Sequence, residues 1–116
     1  MRNNPIYEKS FEFSVRIVNL AKHLRLCKKE FTLSRQILRC GTSIGANIAE
    51  AQRGQSRAEF AAKMTISLKE ANETQYWLCL LYRTKYINDK EFNSLNKDLH
   101  EILSLLTAIC KTATKG

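Results

Sequence analysis

The feature that most constrains the fold is a set of small residues near the middle of the chain. Gly41, Gly45 and Ala49 recur every four residues, which places them on one face of a helix. A glycine inside a helix costs about 0.5–1 kcal/mol relative to alanine, so two of them one turn apart indicate a second helix packed closely there. Polar residues in the same stretch, such as Asn47 and Glu50, exclude a membrane span. The sequence therefore predicts a tightly packed helical assembly.

Composition fits one globular domain. The chain has 116 residues, of which 44% are hydrophobic and 26% are charged, as expected for a protein that buries its own core. One proline and four glycines leave few helix breakers, so long helices are expected. No apolar run reaches the roughly 18 residues of a membrane span, and the N-terminus lacks the apolar stretch of a signal peptide. We therefore expect a cytoplasmic protein that does not enter the membrane.

Four cysteines are spread along the chain, and no two have the two-residue gap typical of zinc knuckles and thioredoxin-like sites. They are Cys27, Cys40, Cys79 and Cys110. An intracellular chain of this size needs no disulfide, so we interpret them as small residues of the core or its boundary. The sequence predicts no metal site and no cofactor.

Apolar periodicity and capping residues predict four helices, at about residues 6–26, 33–52, 57–85 and 89–111. The expected N-terminal caps are Thr32 or Ser34 in the second helix, Ser56 with Glu59 in the third, and Asn88 with Glu91 in the fourth. The stripes expected to face the core are Phe13, Ile17, Leu20, Leu24 and Cys27; Ile37, Gly41, Ile44 and Ile48; Phe60, Met64, Ala71, Leu78 and Tyr82; and Phe92, Leu95, Leu99, Ile102, Leu106 and Ile109. Because short loops make neighbouring helices antiparallel, the predicted fold is an all-α, up-down-up-down four-helix bundle, a single domain over residues 1–116.

The first and third helices carry more apolar surface than a lone bundle uses. Each has a second apolar set away from its core stripe, made of Phe11, Val15 and Val18 on the first helix and of Ile66, Trp77 and Leu80 on the third. Two aligned sets on two helices predict a protein interface, and homo-oligomerisation is its expected use.

Positive charge is concentrated in the first half of the chain. The net charge is +8, and residues 1–57 hold 11 basic and 4 acidic side chains, whereas residues 58–116 hold 8 and 7. The residues predicted to bind the phosphates of RNA or DNA are Lys22, Arg25, Lys28, Lys29, Arg35 and Arg39. A solvated face that aids solubility explains the same charge, because no nucleic-acid-binding motif accompanies it.

Catalytic patterns are mostly absent from the sequence. It has no Glu-x-x-His pair of a di-iron bundle and no phosphate-binding glycine loop. Arg16 and His23 share a helix face at the spacing of the arginine-histidine motif of helical-bundle ribonucleases. However, Ile17 follows the arginine where those enzymes usually have a polar residue. We therefore predict a protein that is not an enzyme.

Residues 41–78 resemble the central signature of a known family: GTSIGANIAEAQRGQSRAEFAAKMTISLKEANETQYWL. The family comprises four-helix-bundle proteins encoded by 23S rRNA intervening sequences. Its Ser-Ile-x-x-Asn-Ile-Ala-Glu block is matched at residues 43–50, and its Gly-x-Ser-x-x-Glu-Phe block at residues 54–60. Tyr86-Ile87 followed by Glu91-Phe92 resembles the junction of its third and fourth helices. The chain departs from the family at residues 51–52, where Ala-Gln replaces a glycine-aromatic pair.

The resemblance implies a left-handed four-helix bundle that assembles as a ring-like homopentamer. It also implies kinship with the accessory variability determinant of diversity-generating retroelements, a basic pentamer that binds nucleic acid and a reverse transcriptase. No catalytic residues are established for the family, so none are transferred.

Three classes of function stay open. The leading one is a non-enzymatic oligomeric module that binds RNA or DNA through its basic first half. The alternatives are a structural or adaptor protein that binds a protein partner, and a ribonuclease that uses Arg16 and His23.

Overall fold

The computed structural model describes residues 4–114, which contain four α-helices: α1 (Pro5–Leu26), α2 (Leu33–Gln52), α3 (Arg57–Arg83) and α4 (Asp89–Ala113). Each helix packs on the next one in the chain, and α1 also packs on α4, which closes a four-helix bundle. The bundle measures 45 × 23 × 20 Å. The all-α prediction is confirmed. The predicted domain also includes residues 1–3 and 115–116, which lie outside the described residues.

A single apolar core runs along the bundle. Its largest fully buried side chains are Phe13, Ile17, Leu24, Ile37, Ile44, Ile48, Met64, Leu78, Leu81, Leu99, Ile102 and Leu106. Most of them belong to the predicted stripes, whereas Leu20, Phe60, Tyr82, Phe92 and Ile109 are only partly buried at the core edge. The prediction for Cys27 is wrong, because this residue follows the last residue of α1 and is exposed. Among the other cysteines, Cys40 and Cys110 are buried, Cys79 is half-buried, and all four are free.

The small face of α2 lies against α1. A Cβ added to Gly41 would lie 2.8 Å from Cγ2 of Ile17, and one added to Gly45 would lie 3.3 Å from the carbonyl oxygen of Ser10. Ala49, one turn further along, is half-buried. Gly41 therefore allows an approach of α1 and α2 that a larger residue would obstruct, and Gly45 lies at a point where the two helices are nearly as close.

The helix starts show how local sequence sets the boundaries. The Asn88 side chain accepts from the Glu91 N–H and the Glu91 side chain accepts from the Asn88 N–H, so α4 has the predicted capping box. In α3 only half of the box forms, because Glu59 bonds the Gln55 N–H. Thr32 occupies the N-cap position of α2, but its side chain makes no capping hydrogen bond.

Candidate nucleic-acid interface

Eight exposed basic side chains surround one end of the bundle. This basic end comprises Lys22, Arg25, Lys28, Lys29, Arg35, Arg83, Lys85 and Lys90. Antiparallel packing brings the end of α1, the start of α2, the end of α3 and the start of α4 together there. Within residues 4–114 none of the eight pairs with a carboxylate. The sequence analysis missed Arg83, Lys85 and Lys90; the antiparallel order of the predicted helices was the signal that could have found them.

The turn between α1 and α2 holds its only carboxylate away from the basic side chains. The Glu30 carboxylate accepts from the backbone N–H groups of Thr32, Leu33 and Ser34 at 3.2, 2.9 and 2.8 Å. Glu30 therefore caps α2, where the helix dipole stabilises negative charge. The preceding Lys29 has a left-handed backbone, with φ of 56°. The lysines of this turn consequently face solvent without an acidic partner.

Aromatic side chains flank the turn between α3 and α4. The Tyr82 ring stacks on Phe92 with centroids 4.3 Å apart, and the Tyr82 hydroxyl donates to Oδ1 of Asp89 at 2.7 Å. This hydrogen bond raises the pKa of Tyr82 above its ordinary value. Lys85 has a left-handed backbone here, with φ of 70°. Each of the two turns at the basic end thus carries a lysine in a conformation that L-residues rarely adopt.

A cleft of about 840 Å³ opens between the end of α1 and the turn that joins α3 to α4. Its lining includes His23, Lys28, Tyr82, Arg83, Lys85, Tyr86, Asp89, Lys90 and Glu91. Both carboxylates at this cleft already accept hydrogen bonds, Asp89 from Tyr82 and Glu91 from the backbone of Asn88. The cleft is therefore polar, walled by two tyrosines, and richer in cations than in anions.

Arg39 differs from the other predicted phosphate-binding residues. Its guanidinium bonds the Glu73 carboxylate and lies 3.5 Å from Oε1 of Glu70. The indole N–H of Trp77 donates to Glu73 at 3.0 Å, and this bond together with Arg39 lowers the pKa of Glu73. Because its guanidinium is paired with carboxylates of α3, we do not count Arg39 in the basic end, and its binding to phosphate stays a prediction.

Arg16 and His23 have different surroundings. The Arg16 guanidinium donates to Asp98 at 2.7 Å and to the Ser94 hydroxyl at 2.8 Å, which fixes it against α4. His23 is half-buried and lines the cleft, whose lining does not include Arg16. Within residues 4–114 no group of three His, Cys, Asp or Glu side chains has the arrangement of a metal site.

The two extra apolar sets differ in exposure. Phe11, Val15 and Val18 are 54%, 44% and 37% exposed on α1, and Ile66 is 39% exposed on α3. Trp77 and Leu80 are instead half-buried, and Trp77 packs against the core. Both α1 and α3 pack on α2, and among the described residues these two helices do not contact each other. The interface prediction for Trp77 and Leu80 therefore applies at most to their exposed edges.

The fold and its basic end define a small cationic four-helix bundle. The chain belongs to the family described as 23S rRNA-intervening sequence protein, whose sequence profile matches residues 2–108. It is similar to a crystal structure of a protein with unknown function from the S23 ribosomal protein family of Bacteroides thetaiotaomicron VPI-5482. The two are 58% identical, with a TM-score of 0.90, over 91% of this chain and 98% of that one. A comparison with curated proteins found no match. No described helix combines the length and apolar character needed to cross a membrane.

Proposed function

We propose that this protein is a non-enzymatic, oligomeric bundle that binds the phosphate backbone of RNA or DNA through its basic end. The observation that carries the proposal is the gathering of eight exposed cations, none paired with a described carboxylate, at one end of the molecule. Such a surface attracts polyanions and releases their condensed counterions on binding. The engagement of Arg16 by Asp98 favours binding over strand cleavage.

A salt titration tests the proposal. Fluorescence anisotropy with a structured RNA and a DNA duplex should show the logarithm of the binding constant falling linearly with the logarithm of salt concentration. The triple variant Lys22→Ala, Arg25→Ala and Lys29→Ala should reduce the slope by about 0.9 for each lost contact to duplex DNA. These positions are exposed, so circular dichroism should show an intact fold.

A charge-matched control separates a local site from general attraction. Lys69, Lys97 and Lys111 are exposed on α3 and α4 and do not belong to the basic end. Their triple alanine variant loses the same charge and should keep most of the slope of the parent. Equal slopes for the two variants would contradict a site at the basic end. Absence of binding by the parent at low salt would favour the adaptor function.

We propose further that copies of the chain associate through the exposed apolar set on α1. Phe11, Val15 and Val18 are exposed apolar side chains spaced three or four residues apart on α1, and they form a strip that another helix can cover. Light scattering should give a mass above that of a monomer, and the family resemblance favours a pentamer. Val15→Glu should lower the mass, whereas Thr107→Glu, at an exposed site on α4, should not. A monomeric parent at micromolar concentration would refute this part of the proposal.

A further inference from the structure

The cleft at the basic end has the shape and chemistry to hold one nucleotide. We infer that it accepts a nucleotide of a single-stranded nucleic acid, so that the protein prefers single strands to continuous duplex. This inference rests on the proposed function and specifies which form of nucleic acid the basic end takes. The volume of about 840 Å³ lies within the range of small-molecule sites.

Charge in the cleft suits a phosphate group. Four cations, Lys28, Arg83, Lys85 and Lys90, line it together with two carboxylates, which leaves a net charge of +2 when His23 is not counted. One phosphodiester carries a single negative charge, and a terminal phosphate carries about −1.5 to −2 at pH 7. The Asp89 carboxylate accepts from the Tyr82 hydroxyl and the Glu91 carboxylate accepts from the Asn88 N–H, and among the described residues neither pairs with a cation of the cleft. A phosphate can therefore reach the cations without displacing an ion pair.

The cleft walls suit a base. Tyr82 is fixed by its stacking on Phe92 and its bond to Asp89, and Tyr86 is half-buried beside it. Rigid aromatic side chains next to cations are the usual means by which proteins hold unpaired bases without reading a sequence. An intact duplex keeps its bases stacked inside, so it can contact only the rim of the cleft. A single strand can turn one base inward.

Competition between matched ligands tests the inference. A 12-nucleotide single strand and the duplex of the same sequence are titrated by anisotropy at one salt concentration. The parent should bind the single strand about 10-fold more tightly, the size of effect that one stacked base supplies. Arg83→Ala with Lys90→Ala, two exposed cleft positions, should abolish most of this preference. The control Lys22→Ala with Arg35→Ala removes equal charge outside the cleft. It should weaken the binding of both ligands while keeping the preference for the single strand.

The outcomes separate this inference from the proposed function. Two results would overturn the inference about the cleft and leave the proposed function of the basic end unaffected. One is salt-dependent binding with equal affinity for both ligands, and the other is an equal loss of preference in the two variants. Absence of binding to either ligand would overturn both. A comparison of strands that begin with a 5′-phosphate or a 5′-hydroxyl shows which nucleotide of the strand occupies the cleft. A preference for the phosphate that is lost in the cleft variant supports a strand end in the cleft, and equal binding of both strands supports an internal nucleotide.

Discussion

Replacing Gly41 with alanine tests whether α1 and α2 touch at the small face. The new Cβ would lie 2.8 and 2.9 Å from Cγ2 and Cγ1 of Ile17 and 3.3 Å from its Cβ. Ile17 is fully buried, so it has little room to move. Overpacking costs about 1–3 kcal/mol, and an overlap below 3 Å with a fully buried side chain should lie in the upper part of that range, at about 2–3 kcal/mol. The better helix propensity of alanine returns about 1 kcal/mol. We therefore expect Gly41→Ala to lower the free energy of unfolding by about 1–2 kcal/mol.

Gly45 provides a graded comparison on the same helix. Its added Cβ would lie 3.3 Å from the Ser10 carbonyl oxygen and from the Ser14 hydroxyl, a tight contact but not an overlap. Strain and helix propensity then nearly cancel, so Gly45→Ala should stay within about 1 kcal/mol of the parent. Gly45→Leu should cost about 1–3 kcal/mol or more, because the larger side chain must force α1 outward.

Urea denaturation at one fixed protein concentration measures these changes, since association itself adds apparent stability. Ala46→Gly at an exposed position of α2 gives the propensity effect alone and should cost about 1 kcal/mol. A double-mutant cycle sharpens the test. Ile17→Ala should cost about 2–5 kcal/mol in the parent and at least about 1 kcal/mol less beside Gly41→Ala, because the new methyl fills part of the cavity. A Gly41→Ala variant as stable as the parent, or a cycle without coupling, would refute the close approach.

Three further predictions concern the turns and the ion pairs. Lys29→Gly and Lys85→Gly should each raise the free energy of unfolding, measured in urea, by up to about 1 kcal/mol, because glycine adopts the left-handed backbone without strain. The same variants should lower the salt slope of nucleic-acid binding, because each removes a cation. Glu30→Gln should cost about 1 kcal/mol in the same assay, because an amide oxygen replaces a charged acceptor of three backbone N–H groups. The lowered pKa of Glu73 stabilises the fold fully above about pH 4.5. This contribution is lost progressively as the pH falls through the pKa that Glu73 has in the folded protein. Melting temperatures should therefore drop in acid, and they should drop less steeply in Trp77→Phe, which lacks the hydrogen bond to Glu73.

Local signals in the sequence were sufficient for the helices. The Asn88 and Glu91 pair satisfies N–H groups that no other part of the helix can reach, so its spacing predicts where α4 begins. Helix ends without such a capping pair were less predictable. The third helix was expected to reach residue 85 but ends at Arg83, because Lys85 turns left-handed to start the connection to α4. In α2 the cap comes from Glu30, which lies before both expected N-cap residues, since a long side chain can reach forward over several residues.

The candidate site depended on tertiary structure. The sequence alone determined the helical period, the small face of α2 at Gly41 and the excess of cations in residues 1–57, because each depends only on neighbours along the chain. Which cations are available depended on packing between helices. Arg39 is engaged by Glu73 of α3, whereas Arg83 and Lys85, from the nearly neutral half, reach the same cleft as Lys28. Antiparallel packing brings together residues that are far apart in sequence, and the energy of a Coulombic interaction depends on the distance between the charges in space.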